Sequence, residues 1–159
     1  MSDVVARIKR FNKGRDPHLL ARKFAEMRAS MFRFYRGTCH LYYEDWPKRG
    51  PLSACVAGWV SGDLHPENFG SFRGRDGGVY FDVNDFDEAN LGPVLWDAVR
   101  CLTGILIGTE EQGILDEDCR ELCRRYLYAY RDCLSRGTAY AVTADASTGM
   151  VRELLEGVA

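Results

Sequence analysis

A chain of 159 residues is long enough for one domain with a real core and too short for two comfortable ones. Apolar residues at 46% and charged residues at 28% fit a folded protein and exclude a disordered one, while a formal net charge of -2 offers no global attraction to nucleic acid or an anionic membrane. The longest apolar run, near Leu102–Ile107, falls far short of a bilayer span. The opening "MSDVVARIKRFNKGRD" lacks the continuous apolar stretch of a secretory signal, so a cytoplasmic location is expected.

Residues 1–50 read as N-terminal helices. Asp16-Pro17 pairs a capping acid with a proline suited to a first helical position, and Leu20, Phe24 and Met27 then recur at helical spacing. "MFRFYRGTCHLYYEDWP" predicts a second helix ended by Pro47. Its aromatics Phe32, Phe34, Tyr35, Tyr42, Tyr43 and Trp46 are expected in the core. "ACVAGWV" is short enough for a buried strand. Two β-prone segments flank Gly74–Gly78 and predict a hairpin that brings Phe69 and Val83 together, with "NDFDEANLGP" as loop. Residues 54–92 thus carry a loop and a hairpin, and residues 93–159 are helical. Pro93 can open a buried helix through "VLWDAVRCLTGILIG". A long helix spans Asp116–Arg136, with a stripe from Cys119 to Cys133, and stops at Gly137. "STGMVRELLEGVA" starts another helix, which suggests a longer parent polypeptide. The six cysteines lack Cys-x-x-Cys spacing and read as structural thiols, with His40 beside Cys39 as core packing.

The residues that could carry chemistry cluster in "SGDLHPENFGSF" and "VYFDVNDFDEA". Phosphoryl transfer needs a carboxylate to orient the attacking hydroxyl and hard oxygen ligands for magnesium. Asp63 followed five residues later by Asn68 supplies one of each, and the hairpin can return Asp82, Asp85 or Asp87 to the same point.

At these residues the chain resembles the protein-kinase-like superfamily, especially its aminoglycoside and choline phosphotransferase branch. There the catalytic loop reads roughly His-Gly-Asp-x-His-x-x-Asn, and Ser61 stands here where histidine is usual. "NDFDEA" resembles the second family motif, and "GPVLWDAVR" the third. "FNKGRDPHLLARKFAEMRASMFRFYRGTCHLYYEDW", "GDLHPENFGSF" and "VYFDVNDFDEANLGPVLWDAVR" together are similar to the bacterial family catalogued as domain of unknown function 2252, which is grouped with kinase-like folds.

The resemblance implies an α+β, mainly helical domain like the larger, helical lobe of a kinase-like enzyme, with a β-hairpin carrying the catalytic loop. It implies an ATP- and Mg2+-dependent phosphotransferase acting on a hydroxyl or amine. Asp63 would be the catalytic base, Asn68 and Asp85 the metal ligands, and Asp97 the brace of the catalytic loop. Asp82 is the alternative ligand, less favoured because Phe86 and Ala89 flank Asp85 in the motif pattern. His65 either contacts substrate or holds the loop in shape. Arg36 either reaches a phosphate or pairs with Asp45. The family's glycine-rich segment and Lys-Glu-Ala segment follow the catalytic motif and do not occur within these 159 residues, so the chain by itself is expected to be inactive. Two rival readings are a metal-dependent phosphoester hydrolase using Asp63, His65, Asp82, Asp85 and Asp87, and a non-catalytic nucleotide-binding module. The kinase-like reading requires Asp63 and Asp85 to share one side of the molecule, with neither buried against a permanent basic partner.

Overall fold

In the computed structural model, which describes residues 3–158, Asp16 accepts hydrogen bonds from the amides of His18 and Leu19, both at 2.9 Å. The helix it starts, Pro17–Ala29, is the second of the chain and is called α2 here. Before it, Val4–Phe11 forms α1, capped by Asp3. That short helix is secured by Arg7, which is buried and forks onto Glu44 at 2.7 Å and Asp45 at 2.7 and 3.0 Å.

The single helix expected through the aromatic segment is two: α3, Met31–Gly37, and α4, Cys39–Glu44. The break falls where Gly37 lies against α2, so close that a Cβ there would sit 2.8 Å from Met27. Thr38 donates its hydroxyl back to the Phe34 carbonyl at 2.7 Å, a local bond that competes with helix continuation. Most of the named aromatics pack inward, but Phe34 is exposed, contrary to expectation.

Two separate two-stranded antiparallel ladders follow. The hairpin joins β2, Phe69–Arg73, to β3, Val79–Val83, with Phe69 opposite Val83 as its sequence implies. The strand β1, Ala57–Val60, pairs with β4, Asn90–Pro93, a segment the sequence reads as loop. Pro93 is tolerated because it stands at the end of that ladder, opposite Ala57. The helix after it begins later than Pro93: α5 runs Leu95–Glu111, α6 Asp116–Arg136 and α7 Gly149–Gly157. Gly137 ends α6 in the left-handed conformation at φ 66°. The α6 stripe is less buried than its pattern implies. Cys119 is enclosed, whereas Leu122 and Cys133 are exposed.

The fold is therefore α+β and mainly helical, with seven α-helices among the described residues. No described helix is long and apolar enough to cross a membrane. The β1–β4 ladder and α5 together frame the segment between β1 and β2, Ser61–Asn68, where the candidate chemistry lies.

Candidate functional site

The Ser61–Asn68 loop starts at a glycine that tolerates no side chain. Gly62 has φ 98°, and a Cβ on it would come within 2.4 Å of the Glu88 carbonyl oxygen. The turn is held from below by Asp97 in the first turn of α5. Its Oδ2 accepts the Ser61 amide at 2.7 Å and its Oδ1 the Gly62 amide at 3.1 Å. The Tyr43 hydroxyl donates to the Gly62 carbonyl from α4. Two helices and the Glu88 segment thus converge on two residues.

Asp63 is largely buried, its side chain 14% exposed. Arg100 of α5, itself 2% exposed, donates Nε–H to Asp63 Oδ1 at 2.7 Å, with its Nη2 at 2.5 Å from the same oxygen. The guanidinium is anchored in turn: it donates to the Tyr35 carbonyl at 2.9 Å and lies over the Tyr35 ring, 3.7 Å from its centroid. Burial pushes the Asp63 carboxyl above the usual range, and Arg100, Cys39 and Arg36 pull it back. Asp63 is therefore buried against a fixed basic partner, contrary to the condition that the kinase-like reading of the sequence sets, and an unpaired general base does not stand here. Arg100 engages only Oδ1. The sequence carries a signal for it, since Asp97 and Arg100 are three apart on one face of an otherwise apolar helix.

His65 is 1% exposed, packed edge-on against Phe32 with ring centroids 5.7 Å apart, and its Nδ1 has no partner. Burial, with Arg36 and Arg100 nearby, lowers its pKa to about 4 against the pull of Asp85. It is a neutral, enclosed ring, which fits holding the loop in shape better than touching a substrate.

Asn68 ends the loop in a short 3-10 turn, Pro66–Asn68. Its backbone carbonyl accepts the Asn84 amide at 2.8 Å, tying the loop to the residue before Asp85. Its side chain is 5% exposed, and the amide oxygen Oδ1 has no hydrogen-bond partner. Asp85 takes the Asp87 amide at 3.2 Å, and its charge partly opposes the lowering of the His65 pKa. Glu88, unremarked in the sequence, lies against the start of the loop, its backbone carbonyl beside Gly62. Burial and then the charges of Asp63, Asp85 and Asp87 push its carboxyl up. Asp82 is exposed and folds its carboxylate onto the Val83 amide at 2.8 Å. Arg36 pairs with Glu67 at 2.6 Å; Asp45, its expected alternative, is taken by Arg7. His40 is buried, stacked on Phe11 with centroids 3.9 Å apart, as core packing requires. All six cysteines are free thiols. Among the described residues no three His, Cys, Asp or Glu side chains stand close enough to share a metal ion.

A family model described as an uncharacterised protein conserved in bacteria, DUF2252, matches residues 15–154, and the chain belongs to that family. No curated protein and no solved structure matches it.

Proposed function

For this member of the DUF2252 family we propose the magnesium-binding and acceptor-orienting half of an ATP-dependent phosphotransferase. The observation that carries the reading is the Asn68 amide oxygen, buried without a partner. An unpaired buried acceptor costs roughly 1–3 kcal/mol and calls for an explanation. Here it is tethered to the strand end that leads into Asp85. Magnesium keeps several waters and asks for only one or two protein carboxylates beside the substrate phosphates, so Asn68 and Asp85 fit it. When bound, the ion would neutralise charge developing on the transferred phosphoryl group.

Asp63 would accept a hydrogen bond from the acceptor hydroxyl or amine on the oxygen that Arg100 leaves free. As the acceptor atom bonds to the γ-phosphorus, the bond to the bridging oxygen of ADP breaks and the acceptor's proton passes to that carboxylate or to water. In a loose transition state this residue orients more than it abstracts, so an ion-paired carboxylate can serve. Asp97 and Arg100 would act through the loop, fixing the backbone and the carboxylate respectively. The phosphate clamp would come from the glycine-rich and Lys-Glu-Ala segments that the resemblance places after the catalytic motif.

The Asp63–Arg100 pair also favours a second reading, a nucleotide-binding module without turnover. The hydrolase alternative has less support, because His65 is enclosed and Asp82 is turned to its own strand. The test uses the full-length protein. Mg2+ with ATP is expected to raise its melting temperature, and Asp85→Asn to abolish the shift. Turnover of ATP should fall by about two orders of magnitude or more in Asp63→Asn. A retained shift with no turnover in the wild type selects the binding module; no shift at all removes both.

A further inference from the structure

A cavity of about 970 Å3 lies between α2, α3, the Pro66–Asn68 turn and the end of α5. Its volume is at the upper end of those that take small organic ligands. Asp63 borders it, whereas Asn68, Asp85 and Glu88 do not. Asp63 thus stands between the hairpin end, with its unpaired amide oxygen, and this helical cavity. We propose that the cavity is the acceptor site, and that it takes a non-anionic alcohol or amine with an apolar body. The assignment to an acceptor rests on the phosphotransferase reading; the ligand class rests on the lining alone.

The floor is apolar: Phe32, Ile105, Ile114 and Leu122 line it, with Gly104 and Gly108 one helical turn apart on α5. Gly104 is closed off, since a Cβ there would be 3.0 Å from Pro66. Gly108 has room for a side-chain carbon, which would meet Phe32 at an ordinary contact distance of 3.7 Å. Around the floor stand Glu26, Glu67, Glu111 and Asp63 against two cations, Arg33 and Arg36. Both cations are already matched on the rim, Arg33 by Glu26 and Arg36 by Glu67. Glu111 is spent on the start of α3, accepting from the Phe32 amide at 3.2 Å and the Ser30 hydroxyl at 3.0 Å. No lining guanidinium is therefore left for a ligand phosphate or carboxylate, and with Asp63 matched by Arg100 the uncancelled charge is the Glu111 carboxylate. An anionic ligand would have to break a rim pair; a neutral or cationic one would not.

The probes are octyl glucoside, kept below its micellar concentration, and octyl phosphate, each titrated by ligand-observed NMR. Octyl glucoside is expected to bind saturably and octyl phosphate at least about tenfold more weakly. Gly108→Leu, which fills the floor, should weaken the glucoside about tenfold. Glu67→Gln, which removes an exposed partner and frees Arg36, should strengthen octyl phosphate several-fold relative to the glucoside. Failure of the glucoside to bind, equal affinity for both probes, or phosphate binding unmoved by Glu67→Gln overturns the proposal. Should Gly108→Leu not fold, the wild-type comparison and Glu67→Gln decide. Neither probe needs nucleotide. Selective probe binding without any response to Mg2+ and ATP removes the phosphotransferase reading alone. Lost selectivity beside intact turnover removes this inference alone.

Discussion

The loop from Ser61 to Asn68 is held in opposite ways at its two ends. At the start, Asp97 takes two backbone amides, Tyr43 donates to the Gly62 carbonyl, and Arg100 grips Asp63. At the finish, the backbone is tied to Asn84 but the Asn68 side chain is buried with its oxygen unpaired. Asp85 and Asp87, just beyond that tie, bond only to their own turn. At the helical end the backbone amides and the Asp63 carboxylate are taken by fixed partners, although the Ser61 hydroxyl there is also buried without one. The hairpin end keeps acceptors in excess, which is what a site for a cation requires and what a purely structural loop would avoid.

The sharpest way to break this contrast is to remove the cation from the helical end. Arg100→Met leaves Asp63 buried without its partner, and loss of one member of a buried pair costs about 3–5 kcal/mol. Urea denaturation should show a destabilisation of that order. Adding Asp63→Asn to Arg100→Met should recover much of it, because the stranded charge is then gone. A small effect in Arg100→Met would mean that Asp63 is effectively solvated and the start of the loop is not preformed.

Acid probes the middle of the loop. The folded state holds His65 at about 4 where its ordinary value is 6.5. Between those values the unfolded chain binds a proton that the folded one refuses. Stability is therefore full above about pH 6.5 and is lost as pH falls toward 4, by roughly 3 kcal/mol for a shift of this size. His40, also lowered by burial, acts in the same direction. Asp63 and Glu88, whose carboxyls are raised, oppose it near the acid end of the window. The slope of unfolding free energy between pH 6.5 and 5 should flatten in His65→Asn, leaving the residual slope of His40. An unchanged slope would place the His65 ring in contact with water.

How much of this was legible in the sequence differs between the same two ends. The hairpin, its register at Phe69 and Val83, the Asp16-Pro17 cap and the long α6 helix follow from local rules of turn, cap and period. They act between residues near one another in the chain, so a sequence displays them. The β1–β4 ladder does not follow, because Trp59 meets Leu91 across the whole hairpin and "EANLGP" contains residues poor in strand propensity. Arg100 was missed for a related reason. Its partner Asp63 is 37 positions away, and a charge in an apolar helix reads locally as a solvated defect. Arg36 shows the limit from the other side: the choice between Glu67 and Asp45 turns on how α1 and α4 meet, which no spacing records. The α3–α4 break was visible as Gly37, but helical periodicity on both sides masked it.

The smallest of the expected effects tests whether the helical end is set by charge or only by shape. Asp97 offers one oxygen to each of two amides. In Asp97→Asn the side chain keeps its size, yet one oxygen becomes an NH2 group that faces an N–H it cannot accept from. One charge-assisted bond becomes neutral and the other is lost, and a negative charge leaves the first turn of α5, where the helix dipole favours it. Stability should fall by roughly 1–2 kcal/mol. Amide exchange at Ser61 and Gly62 should accelerate by more than at neighbouring Val60, because local opening of the turn no longer breaks two strong bonds. Uniform acceleration along β1 and the loop would instead mean that Asp97 stabilises the β1–α5 contact as a whole. The Ser61–Asp63 turn would then owe its shape to Gly62 and Tyr43 alone.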